Sequence, residues 1–179
     1  GSFALGPTPV DALELTNVGA TLASDGRWCE PNPIEELTDR DGNPVQLEEP
    51  ACEQAVDPGV AHAMAHALSS DTDGGTAEAA AETVNWDGPV PAKTGTTESN
   101  QSAAFLGFTS GLAGAVYVYN DSPTTTELCT SPLRQCWSGD LYGGREPALT
   151  WFGAVSPIID DFGGKVLPDM DPAFHEGTA

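Results

Sequence analysis

The sequence predicts an α/β fold of the α+β kind, an antiparallel sheet flanked by helices. Residues 90–97, 102–109 and 113–119 are strand-like runs separated by turns at 98–101 and 110–112, the pattern of a three-strand meander. Helical periodicity lies on either side of them. The second and third strands are apolar on both faces, as expected of strands covered by helices. At 179 residues and 39% apolar composition, one domain with a buried core is feasible.

Taken in order, the first helix is signalled by Thr8 as N-cap, Pro9 at the first helical position and Asp11 completing a capping arrangement. Leu15, Val18 and Leu22 mark its apolar face, and Asp25-Gly26 ends it. Residues 26–52 read as a hairpin, with strands at 34–37 and 45–47 around the turn Asp41-Gly42-Asn43-Pro44. A second helix starts at Asp57-Pro58, and Val60, Ala63, Met64, Ala67 and Leu68 repeat at i, i+3, i+4, i+7 and i+8. His62 and His66 lie on the opposite face. Ala63 stands where a zinc peptidase needs glutamate, so they read as a solvated pair. Asp71-Thr72-Asp73-Gly74-Gly75-Thr76 makes a poor calcium loop, because its sixth position is Thr76 and not glycine. It reads as a glycine loop before a helix capped by Thr76. Residues 121–145 form a long loop, and residues 147–162 a final helix that Pro157 should kink. Trp151, Val155, Ile158, Ile159 and Phe162 give that helix a broad apolar face. Residues 165–179 read as a tail or linker. The apolar run 103–119 falls short of a membrane span and is broken by Thr109-Ser110-Gly111, so it reads as two buried strands.

Charge and cysteines bound the setting. There are 27 acidic against 6 basic residues, a net charge of −21, which repels phosphate backbones and anionic membranes and argues against nucleic acid as a partner. The acidity is spread along the chain, as in a generally acidic or salt-adapted surface. Cys29, Cys52, Cys129 and Cys136 form no Cys-x-x-Cys pair and have no histidine at zinc-ligand spacing. They fall into two local pairs, read as Cys29–Cys52 and Cys129–Cys136, although four cysteines allow three connectivities. Disulfides imply an oxidising, extracytoplasmic compartment; four free buried cysteines are the alternative. Each bridge would stabilise by about 2–4 kcal/mol. The opening Gly1-Ser2-Phe3-Ala4-Leu5-Gly6 looks like mid-domain sequence and is no signal peptide. No metal or cofactor is called for.

Three stretches together resemble the transpeptidase domain of bifunctional (class A) penicillin-binding proteins. Ser2-Phe3-Ala4-Leu5-Gly6 with Val10, Leu13-Glu14-Leu15 and Ala20-Thr21-Leu22-Ala23 resembles the helix that follows the substrate cleft in that family. Ala92-Lys93-Thr94-Gly95-Thr96-Thr97 with Ala104-Phe105-Leu106-Gly107-Phe108-Thr109 resembles its motif strand and the next one. Lys-Thr-Gly is one of three motifs shared by penicillin-binding proteins and serine β-lactamases. The cysteine pairs and residues 136–147 are similar to actinobacterial members. The resemblance covers residues 2–164 and implies the same fold, incomplete. Lysines occur only at 93 and 165, neither with serine three residues before it, so Ser-x-x-Lys is absent; no serine has asparagine two residues on, so Ser-x-Asn is absent too. In the family both lie N-terminal to this segment. Residues 1–164 therefore look like the C-terminal part of such a domain. The N-terminal half, carrying both motifs and a membrane anchor, would be supplied elsewhere.

The resemblance implies acyl transfer through a serine ester, with peptidoglycan stem peptides as substrate and β-lactams as inhibitors. Lys93 would place a cation near the nucleophile. Gly95 would let the strand pack closely on the nucleophile's helix. Thr94 and Thr96 share one strand face by period-2 alternation, and their hydroxyls would bind a terminal carboxylate. The Thr96 backbone N–H would be one oxyanion-hole donor, and Thr97 would form the cleft's end. Two other readings stay open: part of a serine β-lactamase-like hydrolase, and a non-catalytic acidic extracytoplasmic binding module.

Overall fold

The computed structural model describes residues 8–121, 129 and 140–175. Helix α1, Ala12–Ala23, starts three residues later than Thr8 suggests, because Asp11 caps it. The Asp11 carboxylate accepts the Glu14 N–H at 2.8 Å and the Glu14 carboxylate accepts the Asp11 N–H at 3.1 Å, a reciprocal capping box. Asp25 and Gly26, both at positive φ, turn the chain out of α1 as expected.

The excursion that follows is paired only at its base, where β1 (Arg27–Trp28) runs antiparallel to β2 (Glu53–Gln54). The Cys29–Cys52 disulfide clips it there. No strands form at 34–37 or 45–47, which is a correction to the sequence reading; a single Thr38–Pro44 bridge stands in their place. Ile34, Leu37 and Val45 are each more than 40% exposed, so no packed face supports a ladder. The turn is held by Asp39, whose carboxylate accepts the Asp41 and Asn43 N–H groups at 2.8 and 2.9 Å. These bonds hold the Asp39 carboxyl below its ordinary pKa, the Asn43 side chain contributing most.

Helix α2, Pro58–Ser69, is capped by Asp57 as expected, with the carboxylate accepting from Gly59 N–H at 2.9 Å. Its buried face is a different one from the sequence reading. Val60 and Met64 are exposed, while Ala61 and Ala65 are buried; small residues let α2 approach α1 closely. His62 and His66 are not simply solvated either. His62 lies 2.8 Å from the Asp25 carboxylate and 3.2 Å from the Asp169 carbonyl, and His66 lies 2.7 Å from the Pro168 carbonyl. Residues 165–175 thus lie along α2 as a strap. Phe174 sits against Gly59, and Lys165 pairs with Asp87 at 2.6 Å.

The sheet has the order β3-β4-β5: Ala92–Thr96, Ser102–Phe108 and Ala113–Tyr119, antiparallel throughout. The central strand β4 carries the core and is covered on both faces. Leu106 and Phe108 meet α1 at Gly19, and Phe105 meets helix α4, Glu146–Val155. Strand β5 is half-buried and not central, since it is an edge among the described residues. Trp151 of α4 lies against the sheet at Gly107 and Gly114, and a Cβ at Gly107 would come within 2.7 Å of its ring. Trp86, Phe105, Trp151 and Phe152 form an aromatic cluster with centroids 5.1–5.8 Å apart. Pro157 does not kink α4 but follows its end. The helix stops at Val155, and a 3₁₀ turn, Ile159–Phe162, continues to the left-handed Gly163. Helix α3, Glu78–Thr83, has no side-chain cap, so Thr76 is available for something else. Among the described residues no helix is long and apolar enough to cross a membrane.

Candidate active-site cleft

Strand β3 presents the motif at the sheet's edge: β4 is its only neighbour among the described residues. Alternation sorts the side chains. Thr94 and Thr96 face a cavity of about 250 Å³ lined also by Thr76, Tyr142, Gly143, Gly144 and Arg145. Lys93 and Gly95 fall on the other side of the strand. Lys93 is exposed, and its ammonium donates to the Thr94 carbonyl at 2.8 Å. A Cβ at Gly95 would meet only Ala104 Cβ, at 3.8 Å. Thr97 lies at the strand's end, where its hydroxyl accepts the Ser102 N–H at 2.8 Å and donates to the Ser102 carbonyl at 3.1 Å. It clips the β3–β4 turn.

The far wall is built by residues 141–145. Leu141 is fully buried against Ala103 and anchors this segment to β4. Gly143 and Gly144 then lie directly on backbone. A Cβ on Gly143 would fall 2.4 Å from the Ala104 carbonyl oxygen and 2.6 Å from that of Gly95, and one on Gly144 2.0 Å from the Thr76 carbonyl oxygen. Only glycine permits that approach. The Gly143 N–H donates to the Thr96 hydroxyl at 3.2 Å. Arg145 precedes α4, and its guanidinium lies 5.9 Å from the centre of the Tyr142 ring, bringing a second cation to the cleft.

Behind Thr94 runs a chain of polar contacts. Thr76 Oγ1 lies 2.7 Å from Thr94 Oγ1 and 2.5 Å from Asp71 Oδ1, which also accepts the Thr76 N–H at 3.1 Å. Sequence reasoning missed Thr76, Gly143, Gly144 and Arg145. The available signal was the paired glycine just before an apolar helix. Cys129 is disulfide-bonded, while its expected partner Cys136 lies outside the described residues.

An antiparallel sheet sandwiched between helices, with Lys-Thr-Gly on an edge strand beside a cavity, is the arrangement of a penicillin-recognising transpeptidase domain. The chain matches the penicillin binding protein transpeptidase domain over residues 1–121 and belongs to that family. It is 32% identical over 127 residues to penicillin-binding protein 1A of Neisseria gonorrhoeae, covering 68% of this chain and 16% of that protein. The same protein of Aquifex aeolicus is 32% identical over 120 residues, 67% of this chain and 16% of that one. Among solved structures, the PonA1 protein from Mycobacterium tuberculosis in complex with penicillin V shares the fold, with a TM-score of 0.73 at 21% identity over 95% of this chain and 44% of that one. Penicillin-binding protein 1A from Haemophilus influenzae does so too, at TM-score 0.73 and 19% identity over 94% of this chain and 29% of that one. The chain therefore spans about a sixth of the relatives it matches by sequence.

Proposed function

We propose that this chain forms one wall of the acyl-transfer cleft of a peptidoglycan D,D-transpeptidase, which cross-links stem peptides through an acyl-serine intermediate. The observation that carries this is the Lys93-Thr94-Gly95-Thr96 strand at the sheet edge, with Thr94 and Thr96 lining a cavity. The nucleophilic serine and its lysine come from an N-terminal half bearing Ser-x-x-Lys and Ser-x-Asn. The exposed apolar face of α1 supports such a partner. Leu15, Val18 and Leu22, which mark the apolar face of α1, line a cavity of about 800 Å³ together with Trp28 and Val56.

In the complete cleft, Lys93 supplies a cation beside the serine that favours an anionic substrate and aids proton transfer. Gly95 leaves room for the nucleophile's helix. The Thr96 N–H stabilises the developing oxyanion, and Thr94 and Thr96 hold the end of the substrate that bears its terminal carboxylate. β-Lactams enter by the same contacts. The disulfide at Cys29–Cys52 supports a cell-envelope location outside the cytoplasm, with the membrane anchor on a segment outside this sequence.

Fluorescent penicillin tests this. The isolated chain should not label, while a complete domain containing it should. Lys93→Ala in the complete domain should slow acylation about 10²–10³-fold. Labelling of the isolated chain, or unchanged acylation of Lys93→Ala, would overturn the assignment. Fast hydrolysis of the adduct would favour a β-lactamase-like hydrolase.

A further inference from the structure

Away from the cleft, the two histidines of α2 meet the strap of residues 165–175 with different demands for protons. His66 Nε2 lies 2.7 Å from the Pro168 carbonyl oxygen, which only accepts. One proton on Nε2 satisfies that contact, so a neutral ring serves. His62 makes two contacts. Its Nδ1 lies 3.2 Å from the Asp169 carbonyl oxygen, and its Nε2 lies 2.8 Å from the Asp25 carboxylate. Neither partner has a proton to give, and a neutral imidazole has only one N–H. Both bonds are made together only by the doubly protonated, charged ring.

Loss of one proton therefore forces a choice. A bond from N–H to a carboxylate is stronger than one to a carbonyl, so the remaining proton stays on Nε2, toward Asp25. Nδ1 then turns a lone pair to the Asp169 carbonyl, and the strap loses a hydrogen bond. The neighbouring charges are committed elsewhere. On the strap, the Asp171 carboxylate accepts the Ala173 N–H, and Lys165 is paired with Asp87. Asp57 caps α2, Asp11 and Glu14 cap the far end of α1, and Lys93 of β3 bonds the Thr94 carbonyl. Asp169 and His175 on the strap, with Arg27 and Glu53 in the ladder beyond Asp25, are the other titratable groups of these elements.

The strap is pinned at one end and lightly held at the other. Gly163 and Gly164, both at positive φ, lead into it, and Lys165 is fixed by Asp87 and the Trp86 ring. Farther on, Phe174 rests against Gly59 but stays 41% exposed. The two histidines carry most of the polar attachment there.

We propose that His62 is a proton-operated clasp: charged, it bridges Asp25 and the strap; neutral, it keeps Asp25 and lets residues 166–175 lift from α2. Docking takes up a proton. The strap is therefore firm in mild acid and loosens as the pH rises through the range where imidazoles titrate, about 5–8. The clasp stands apart from the cleft and does not depend on the transpeptidase reading.

The test is amide hydrogen exchange in a complete domain, expressed as protection factors so that the intrinsic pH dependence of exchange is removed. It is read at Ala173, Phe174 and His175, whose N–H groups are bonded within the turn Pro172–Phe174, too short to persist once lifted. Protection should fall about tenfold between about pH 5 and pH 8, the worth of one hydrogen bond from a charged group. Nitrogen NMR should show both His62 ring nitrogens protonated at the lower pH. His62→Ala should give low protection at both pH values. His66→Ala should lower protection equally at both and leave the fall intact. Asp25→Asn separates the clasp from a merely structural contact, and the positive φ there suits asparagine. Its amide can donate to a bare Nε2, so a neutral ring keeps its proton on Nδ1 and the strap stays docked. Protection should then be high at both pH values. A wild type equally protected at both overturns the clasp. So does an Asp25→Asn that keeps the fall, or a fall abolished by His66→Ala and not by His62→Ala.

Discussion

Gly143 shows how little room the cleft wall has. The atoms its missing side chain would strike belong to backbone of β3 and β4, which cannot swing aside as a flexible side chain can. Gly143→Ala should therefore lift residues 142–145 from the strand, break the Gly143–Thr96 hydrogen bond and cost about 1–3 kcal/mol. Chemical denaturation of a complete domain measures the loss, and penicillin labelling should fall with it. Gly153, toward solvent on α4, would meet nothing within 4 Å, so Gly153→Ala serves as the control; it should stabilise by up to about 1 kcal/mol. Lys93 makes a complementary point. Its exposure is what a cation awaiting a partner surface would show, and its bond to the Thr94 carbonyl ties the ammonium to the strand that carries it.

At the scale of elements, two fastenings hold the region before the sheet. Asp11→Ala removes one half of the α1 capping box and should cost about 1 kcal/mol, read by thermal unfolding. Cys29→Ser with Cys52→Ser removes the clip under an excursion that has almost no ladder of its own, and should cost about 2–4 kcal/mol. Which elements were legible in the sequence follows from where their information sits. Strands β3 to β5 announce themselves because their residues, turns and both-face apolar pattern are local. Asp57 is legible as a cap for the same reason. Thr8-Pro9 misplaced the start of α1 because it imitates a cap, while the reciprocal pairing of Asp11 with Glu14 decided the matter. The apolar stripe on α2 pointed at Val60 and Met64, but packing against α1 selected Ala61 and Ala65, where small size and not hydrophobicity governs. The site divides likewise. Lys93, Thr94, Gly95 and Thr96 are a contiguous motif, whereas Thr76, Gly143, Gly144 and Arg145 reach it only by folding.

Across the whole molecule, the strap of residues 165–175 ties the chain's end to α2 and to the aromatic cluster. Lys165 lies 4.5 Å above the Trp86 ring and pairs with Asp87. The hydrogen bond and charge of Lys165 hold the Asp87 carboxyl below its ordinary pKa. A depressed carboxyl contributes stability above its unfolded value, about 3.9, and loses it as the pH falls through the folded value. The melting-temperature difference between wild type and Asp87→Asn should thus be present at neutral pH and fade progressively as the pH falls below about 4. A difference that grows in acid would remove Lys165 as the cause. With a net charge of −21 the chain also repels itself, so added salt should raise its melting temperature. The cleft wall, finally, is stitched from segments at 71–76, 93–96 and 142–145, in that order along the chain. A ribosome delivers the last of them well after the motif strand has emerged. A nascent chain stalled at residue 141 would already display Lys-Thr-Gly, yet would hold no pocket. The cavity is therefore completed in one late step of synthesis, when two glycines and an arginine fall into place.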